Sequence, residues 1–580
     1  MSSAVLYRVG ALFFSLLLSV GGGWLFFRLM AGWRPEPLDY LRAALFIVTG
    51  FWLVWGGTAG ILGALSRPAK NATPPTPGMP RGKTAILVPI YNEDAAETFS
   101  RVAAMNQSLV ALGVAERFDF AILSDTTRLE IAAEELSWFE HLLREPLAAG
   151  RMFYRRRERN TGKKAGNIED FVQSSGGAYD YALILDADSL MEGETIVAMA
   201  HRFDAEARLG LLQTVPLVIG AETLFGRLMA FSAAYLSPMF ARGVSLMQGD
   251  EGPYWGHNAM VRMQAFASSC GLPELSGKPP YGGHILSHDY VEAALLARAG
   301  WKVVLDPQLG GSYEEGPENL IEYAKRDRRW CQGNLQHRRL LGAPGLRAWS
   351  RFAFLQGIMA YVASPLWLLL LGASILAAAL PRPSWMADDS DLWVLALAVA
   401  VALLLPKAAI LLRGMAGGRN RRFGGSLRVT GSVLAEIVLS TLLAPIMLCY
   451  QSKAVLQILL GLDGGWPATR RGATGVEFDE AFAASWWIVL GGAVTLAAII
   501  VLVPGLVLWL LPVTVPAIVA PLLIMATSMA PRRRWLFTTE LERHPTPVIA
   551  LQRDIHAAWT AHGPLRPELQ DLTASGHVLA

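Results

Sequence analysis

Along this chain, stretches without a single charge alternate with polar ones, and the uncharged stretches have membrane length. Val9–Phe27, Ala43–Leu65, Phe352–Leu380 and Ala481–Ala530 carry no charged side chain. A crossing needs about 20 apolar residues, so the last stretch holds two, with Pro504, Pro512 and Pro516 near the break. Trp393–Leu412 is a further candidate, with Lys407 placed to snorkel toward one end. From Lys83 to about Leu341 the pattern changes. Short apolar runs at Thr84–Pro89, Phe118–Ser124, Met152–Arg155 and Tyr181–Leu185 predict buried strands, and Leu129–Ala148 and Lys164–Gln173 predict helices between them. That alternation predicts an α/β domain with a mostly parallel sheet.

The predicted organisation is two transmembrane helices over 1–68, a Pro-rich linker over 69–82 and a globular domain over 83–345. Further membrane helices follow over 346–530, then a C-terminal tail over 531–580. Val433–Leu462 is ambiguous, because Glu436, Pro445, Gln451 and Lys453 interrupt an otherwise apolar run. If the domain and Arg532–Arg534 share one side of the membrane, the crossings between them are even in number. The other candidates already supply four. The segment near 433–462 then reads as an amphipathic helix at the interface, with a tight hairpin as the alternative.

Composition agrees with a membrane protein: 53% of the 580 residues are hydrophobic, above the roughly 45–50% of soluble domains. The first stretch is too long, and too poorly matched to a small-residue cleavage site, for a removed signal peptide. Basic residues gather over Arg413–Arg428 and at Arg532–Arg534, which predicts those ends on the cytoplasmic side. Asp388, Asp389 and Asp391 mark the opposite loop. Arg28, Arg34 and Arg42 make the N-terminal hairpin less decisive. The net charge of +3 is scattered and suggests no nucleic-acid partner. Cys270, Cys331 and Cys449 form no CxxC and read as buried thiols in a reducing compartment.

Asp186-Ala187-Asp188 closes the apolar run ending at Leu185. Two carboxylates at the end of a buried strand make a compact oxygen site for Mg²⁺ or Mn²⁺ against a diphosphate, although such pairs also end strands or cap helices. Asn92 and Asp125 fall at the ends of two other strands, where ligands of parallel sheets bind. Gly162–Asn167 is a basic helix start suited to phosphate or base contacts, and Lys164 in it reads equally as a solvated charge. Asp289 precedes Tyr290–Ala299, so a helix N-cap competes with catalysis there. Arg329 and Trp330 suit a ligand contact, a surface stack or an interfacial anchor. His257 suits either an acceptor site or a satisfied core histidine.

Taken in order, Pro89–Glu93, Ser124-Asp125, Gly162–Asn167, Asp186/Asp188, His288-Asp289 and Arg326–Trp330 resemble the processive, membrane-embedded family 2 glycosyltransferases, the group of cellulose, chitin and hyaluronan synthases. A narrower resemblance comes from Tyr254–Asn258, Ser287–Tyr290 and Arg328–Asn334, which look like the glucans biosynthesis glucosyltransferases of Gram-negative bacteria. Cellulose synthases are expected to carry Thr-Glu-Asp and Gln-x-x-Arg-Trp where this chain has Ser287-His288-Asp289 and Arg326.

The resemblance implies an α/β, Rossmann-like glycosyltransferase A-type domain facing the cytoplasm of a multi-pass inner-membrane protein. It implies that Tyr91, Glu93, Asp125, Lys164, Asp186 and Arg329 bind the nucleotide sugar, and that Asp188 with Asp186 holds Mg²⁺ or Mn²⁺. Gly256, His257, Asn258 and Trp330 would meet the acceptor, and Asp289 would be the general base. Gln213-Thr214 resembles a donor-side motif. Trp466–Arg471, with Thr469 and Arg471 in the donor-contacting positions, resembles a gating loop over 464–472. The implied reaction joins glucose from UDP-glucose to a growing β-1,2-glucan by inversion and threads it through the bilayer, with periplasmic glucan biosynthesis protein G as a neighbour. Tyr361, Trp367 and Trp486 are candidates for lining that path. The competing expectations are a β-glucan of another linkage and a nucleotide-sugar-sensing membrane regulator.

Overall fold

Every residue of Phe118–Ser124 is buried, as are all but Pro89 of Thr84–Ile90. Strands covered on both faces gain nothing from alternating polarity, which is why these runs are mostly apolar, with buried Asp119 tied to Lys83 and Tyr179. A computed structural model describes residues 3–30, 35–67, 78–252, 254–380, 389–462, 475–532 and 534–564, with 389–392 as backbone alone. Ten strands are formed: β1 (Thr84–Ile90), β2 (Phe118–Ser124), β3 (Met152–Arg156), β4 (Tyr181–Ile184), β5 (Leu190–Met191), β6 (Leu209–Gln213), β7 (Leu217–Ile219), β8 (Ala259–Arg262), β9 (Lys302–Leu305) and β10 (Ser312–Glu315).

Seven of them make one sheet in the order β3-β2-β1-β4-β8-β6-β9. Only β8 runs against its neighbours, β4 and β6. The mostly parallel sheet expected from the alternation is therefore present, with helices on its faces. A second sheet, β5-β10-β7, sits beside it. Its strands are two to four residues long, too short to carry a periodic signal.

Within the C-terminal tail expected over 531–580 the chain forms a further helix. Helix Pro547–His562 packs on helix Ala95–Ala111, burying Val548, Ile549 and Ile555 in the core of the domain. Trp559 stacks on Trp138 with ring centroids 6.0 Å apart. Residues beyond the last membrane helix therefore lie on the same side as the domain.

Among the described residues, six helices are long and apolar enough to cross a bilayer: Ser3–Met30, Pro37–Leu65, Ala348–Ala379, Trp393–Ala416, Ser426–Leu459 and Phe478–Leu502. A seventh candidate, Pro504–Ile518 with Ala520–Thr527, is bent by 63°. This is a multi-pass membrane protein. Ser426–Leu459 is one 34-residue helix, so the hairpin alternative falls. Near its start, Ser432 accepts the Phe537 N–H at 3.0 Å, and near its end Gln457 accepts from Arg328 at 3.2 Å. Both partners belong to segments on the domain side.

The domain is joined to the bundle by a close helix crossing. A Cβ on Gly63 would overlap the Met239 carbonyl, and one on Gly243 would overlap that of Ala59. Only glycine lets helices Pro37–Leu65 and Ser237–Gln248 approach to backbone contact there.

Candidate active site

The site is built where the parallel strands end. β1 runs into Tyr91-Asn92-Glu93, and Asn92 adopts φ +53°. Its amide oxygen accepts the N–H groups of Thr127 and Arg128 at 3.2 and 3.1 Å, tying the β1 and β2 exits together. Tyr91 is exposed beside them, and Glu93 is half-buried. Asp125, at the end of β2, is buried and gripped by Arg157 through two 2.8 Å bonds. Asn167 donates to it as well, at 3.0 Å. Its acceptor sites are therefore partly used within the protein. Arg157 was not foreseen, although it closes the run Arg155-Arg156-Arg157 that leaves β3.

Helix Lys163–Ser175 starts after Gly162, whose φ is +70°. Packing there is tight, because a Cβ on Gly162 would stand 2.9 Å from Gly166 Cα. The turn aims Lys164 across the cleft. Its amine pairs with Asp186 Oδ1 and donates to the Gly256 carbonyl at 2.8 Å. Asp186 is fixed further by its own N–H, which donates to Ser189 Oγ at 2.9 Å. The Ala187 carbonyl, between the two aspartates, accepts from Arg101 at 3.1 Å. Arg101 also pairs with Glu315 at 2.5 Å. It lies in helix Ala95–Ala111, remote in sequence, and nothing in the pattern marked it.

Gly256 (φ +87°) lies against the second half of the site: a Cβ there would stand 3.7 Å from Asp289 Oδ2. The loop carrying it is braced by Gln213, which accepts the Trp255 N–H and donates to the His257 carbonyl, each at 3.0 Å. Thr214 donates to the Asn258 carbonyl at 2.7 Å. Gln213-Thr214 thus shapes the acceptor loop. His257 Nε2 lies 3.3 Å from Glu314. Asn258 is buried and donates to Ser312 and to the Tyr313 carbonyl, so it serves the wall of the site.

Helix His288–Arg298 is capped at Ser287, which places Asp289 inside the first turn. The N-cap reading of Asp289 therefore fails. Its carboxyl is pushed up to about 6, chiefly by desolvation, with Glu292 adding to the rise and His288 opposing it. Helix Leu320–Gln336 clamps the turn before it. A Cβ on Gly333 would overlap Ser287 Oγ and stand 2.6 Å from Ser287 N. Gln336 accepts the Leu286 N–H at 3.0 Å, and His337 Nε2 meets the Ser287 carbonyl at 2.9 Å. From that helix Trp330, 44% exposed, carries the Arg326 guanidinium 4.6 Å over its ring. Arg329 is half-buried beside it.

Negative charge concentrates around Asp188. Desolvation raises both Glu314 and Glu315, the latter to about 7, and the Asp188 charge raises each further. Among the described residues no three His, Cys, Asp or Glu side chains form a metal cage. Mg²⁺ asks for less, since it is often held by one or two carboxylates together with substrate phosphates. Asp186, paired to Lys164, and Asp188 supply two carboxylates, and that donor set fits such an ion. Trp466, Thr469 and Arg471 lie outside the described residues. Of the path candidates, Tyr361 is buried and bonds to Asp327 beneath the Trp330 helix. Trp367 packs beside the N-terminal pair of helices, and Trp486 is exposed on the bundle surface.

Residues 181–406 match the sequence profile of the family described as Glycosyl transferase family group 2. The chain is 53% identical over 567 residues to glucans biosynthesis glucosyltransferase H of Cereibacter sphaeroides, covering 95% of each protein. A protein of the same name from Rhodopseudomonas palustris is 41% identical over 521 residues, covering 87% of this chain and 70% of its own length. The Shewanella oneidensis protein of that name is 39% identical over 586 residues, covering 97% and 78%. Among solved structures, a mannosyltransferase from Pyrobaculum calidifontis in complex with GDP-Man and Mn²⁺ aligns at a TM-score of 0.45 and 15% identity, covering 73% of this chain and 99% of that one.

Two expectations follow from this geometry. If Asp289 is the base, only its ionised form works, so kcat/KM should fall about tenfold per pH unit below about 6 and level off above it. A pH–rate profile of the free enzyme measures this. Gly333→Ala should displace the Ser287 turn and lower turnover about 100-fold, because a shift near 1 Å suffices for that. Nucleotide-sugar affinity, held mainly on the opposite wall, should change far less, which parallel binding and rate measurements distinguish.

Proposed function

Given that the chain belongs to the family of glucans biosynthesis glucosyltransferase H, we propose that its cleft transfers glucose from UDP-glucose onto a growing β-1,2-glucan. The observation that carries this reading is the bridge from Asp186 through Lys164 to Gly256, which holds the carboxylate at the β4 exit and the raised carboxyl of Asp289 on two sides of one cleft and so supports a diphosphate at the first and an acceptor hydroxyl at the second. Asp125 and Arg157 stand at the nucleoside end, with Tyr91 and Glu93 at its rim. Arg329 is assigned to the diphosphate, and Gly256, His257, Asn258 and Trp330 to the acceptor sugar.

Transfer requires an acceptor hydroxyl to lose its proton as its oxygen bonds to the anomeric carbon and the bond to UDP breaks. Asp289 takes that proton, and a carboxylate whose affinity for protons is raised by desolvation is a stronger base than one in water. The attack comes from the face opposite the leaving diphosphate, so one displacement turns an α-linked donor into a β-linked product. A divalent ion held by Asp188, with Asp186, would neutralise the charge that builds on the departing diphosphate. Lys164 and Arg329 add positive charge at the same place. Trp330 offers a sugar ring an apolar face, the contact that hexoses make with aromatic side chains.

The placement in the membrane belongs to the same proposal. Helix Pro547–His562 is packed on the domain, so the crossings between the domain and that helix are even in number. Five candidates satisfy the length condition there. Because both ends of Ser426–Leu459 bond to domain-side segments, this is the helix that lies along the interface, leaving four crossings after the domain and two before it. The arginines over Arg413–Arg428 support a cytoplasmic domain, and the family supports the inner membrane as its bilayer. The glucan would pass beneath Trp330 to the periplasm, where a partner such as glucan biosynthesis protein G receives it.

The test is glucose incorporation from labelled UDP-glucose by the purified protein with Mg²⁺, followed by linkage analysis. A 2-linked polymer is expected. A 4-linked product would keep the catalytic assignments and overturn the linkage, and absence of transfer despite UDP-glucose binding would favour the sensing role.

A further inference from the structure

Where the membrane bundle meets the domain, three arginines from three separate elements face one cavity of about 470 Å³. Arg242 comes from helix Ser237–Gln248, Arg413 from the last turn of Asp389–Ala416, and Arg419 from the short turn Arg419–Arg421. Met239 and Ile410 give the cavity an apolar wall, and Gly417 leaves its floor open.

None of the three guanidinium groups pairs with a carboxylate among the described residues; the partners they do have are neutral. Arg413 donates to the Ala64 carbonyl at the end of helix Pro37–Leu65. Arg419 donates to the carbonyls of Ala234 and Tyr235 at 2.8 and 3.0 Å. Arg242 touches Met239 Sδ at 4.0 Å, and its buried Nε has no acceptor. Burial, with the Arg413 charge adding to it, holds the Arg242 guanidinium below its ordinary pKa. Arg242 and Arg413 repel each other, Arg242 repels Arg419, and the one carboxylate acting on the cluster, Glu540 on Arg419, forms no ion pair with it, so an anion would relieve the arrangement.

The back of the cavity is rigid. A Cβ on Gly414 would overlap Tyr235 Oη, and that hydroxyl is itself bonded to Asn420 at 2.7 Å. A rigid arginine cluster is suited to a phosphate, whose oxygens accept guanidinium N–H groups in pairs. We infer that this cavity binds a phosphate group through Arg242, Arg413 and Arg419. The position decides between sources. Arg413 ends a membrane helix and Ile410 lies one turn further in, so the site stands at headgroup depth with an apolar wall beside it. That favours the phosphate of an anionic phospholipid over a soluble one.

The full chain in detergent provides the test, with its unfolding temperature followed while dihexanoyl phosphatidylglycerol, dihexanoyl phosphatidylcholine and inorganic phosphate are titrated separately. Phosphatidylglycerol should raise the midpoint, at concentrations about tenfold below those needed for phosphatidylcholine. Arg242→Gln should weaken the phosphatidylglycerol effect about tenfold, and Arg242→Lys should recover most of it. Inorganic phosphate acting as strongly as the lipid, and failing in the same variant, would keep the phosphate site and assign it to a soluble ligand. Equal lipid binding by wild type and Arg242→Gln would overturn the site. Native mass spectrometry of the wild type needs no variant: retained phosphatidylglycerol supports the inference, and its absence contradicts it.

Discussion

The Lys164 amine is the point on which the two walls of the cleft depend. It reaches Asp186 on the side where β4 ends and the Gly256 carbonyl on the side where the acceptor loop begins. One ammonium thereby fixes the separation between the diphosphate-binding edge and Asp289, which lies directly behind Gly256. The bridge also sets the paired aspartates apart: Asp186 is held by lysine, whereas Asp188 stands near Glu314 and Glu315 and raises the proton affinity of each. A basic residue elsewhere in the cleft would leave these walls to be held by loops alone.

A second constraint comes from the membrane side. Helix Leu320–Gln336 exposes Trp330 on one face and, through Gly333 and Gln336, with His337 just after its end, holds the Ser287 turn on another. Burial drives the His337 imidazole down to about 4, so it remains neutral and its bond to the Ser287 carbonyl persists across the physiological range. Below that helix, Asp327 accepts from Gln451, and Arg328 from the same helix reaches Gln457. Movement of Ser426–Leu459 would therefore be felt at the position of the base. The catalytic turn and the membrane helices form one packed unit, which suits a reaction whose product must leave through the bilayer.

The hydrophobic pattern exposed much of this fold. Uncharged runs of membrane length and four short, mostly apolar runs located both the bundle and the centre of the sheet. β8 escaped because its four residues run straight into helix Met263–Ser269, which leaves no separate strand pattern to read. Helix Pro547–His562 escaped because its apolar residues resemble an ordinary amphipathic tail until Trp138 is seen to meet Trp559. In the site, the strand-end positions of Asp125, Asp186 and Asp188 could be read from the apolar runs before them, but not what they hold, because such carboxylates also end strands and cap helices. Arg101, Arg157 and Gly333 could not be read, because each acts by closing a distance between segments far apart in the chain, and sequence proximity carries no trace of that.

The division of labour between Asp188 and Asp289 is the core of this account, and titration of UDP-glucose with Mg²⁺ onto Asp188→Asn and Asp289→Asn, beside their turnover, tests it most directly. Asp289→Asn should bind the donor about as well as the wild type while turnover drops by about 10³-fold, and Asp188→Asn should lose the Mg²⁺-dependent part of donor affinity. Loss of donor binding in Asp289→Asn as severe as in Asp188→Asn, or turnover surviving in it, would contradict the assignment.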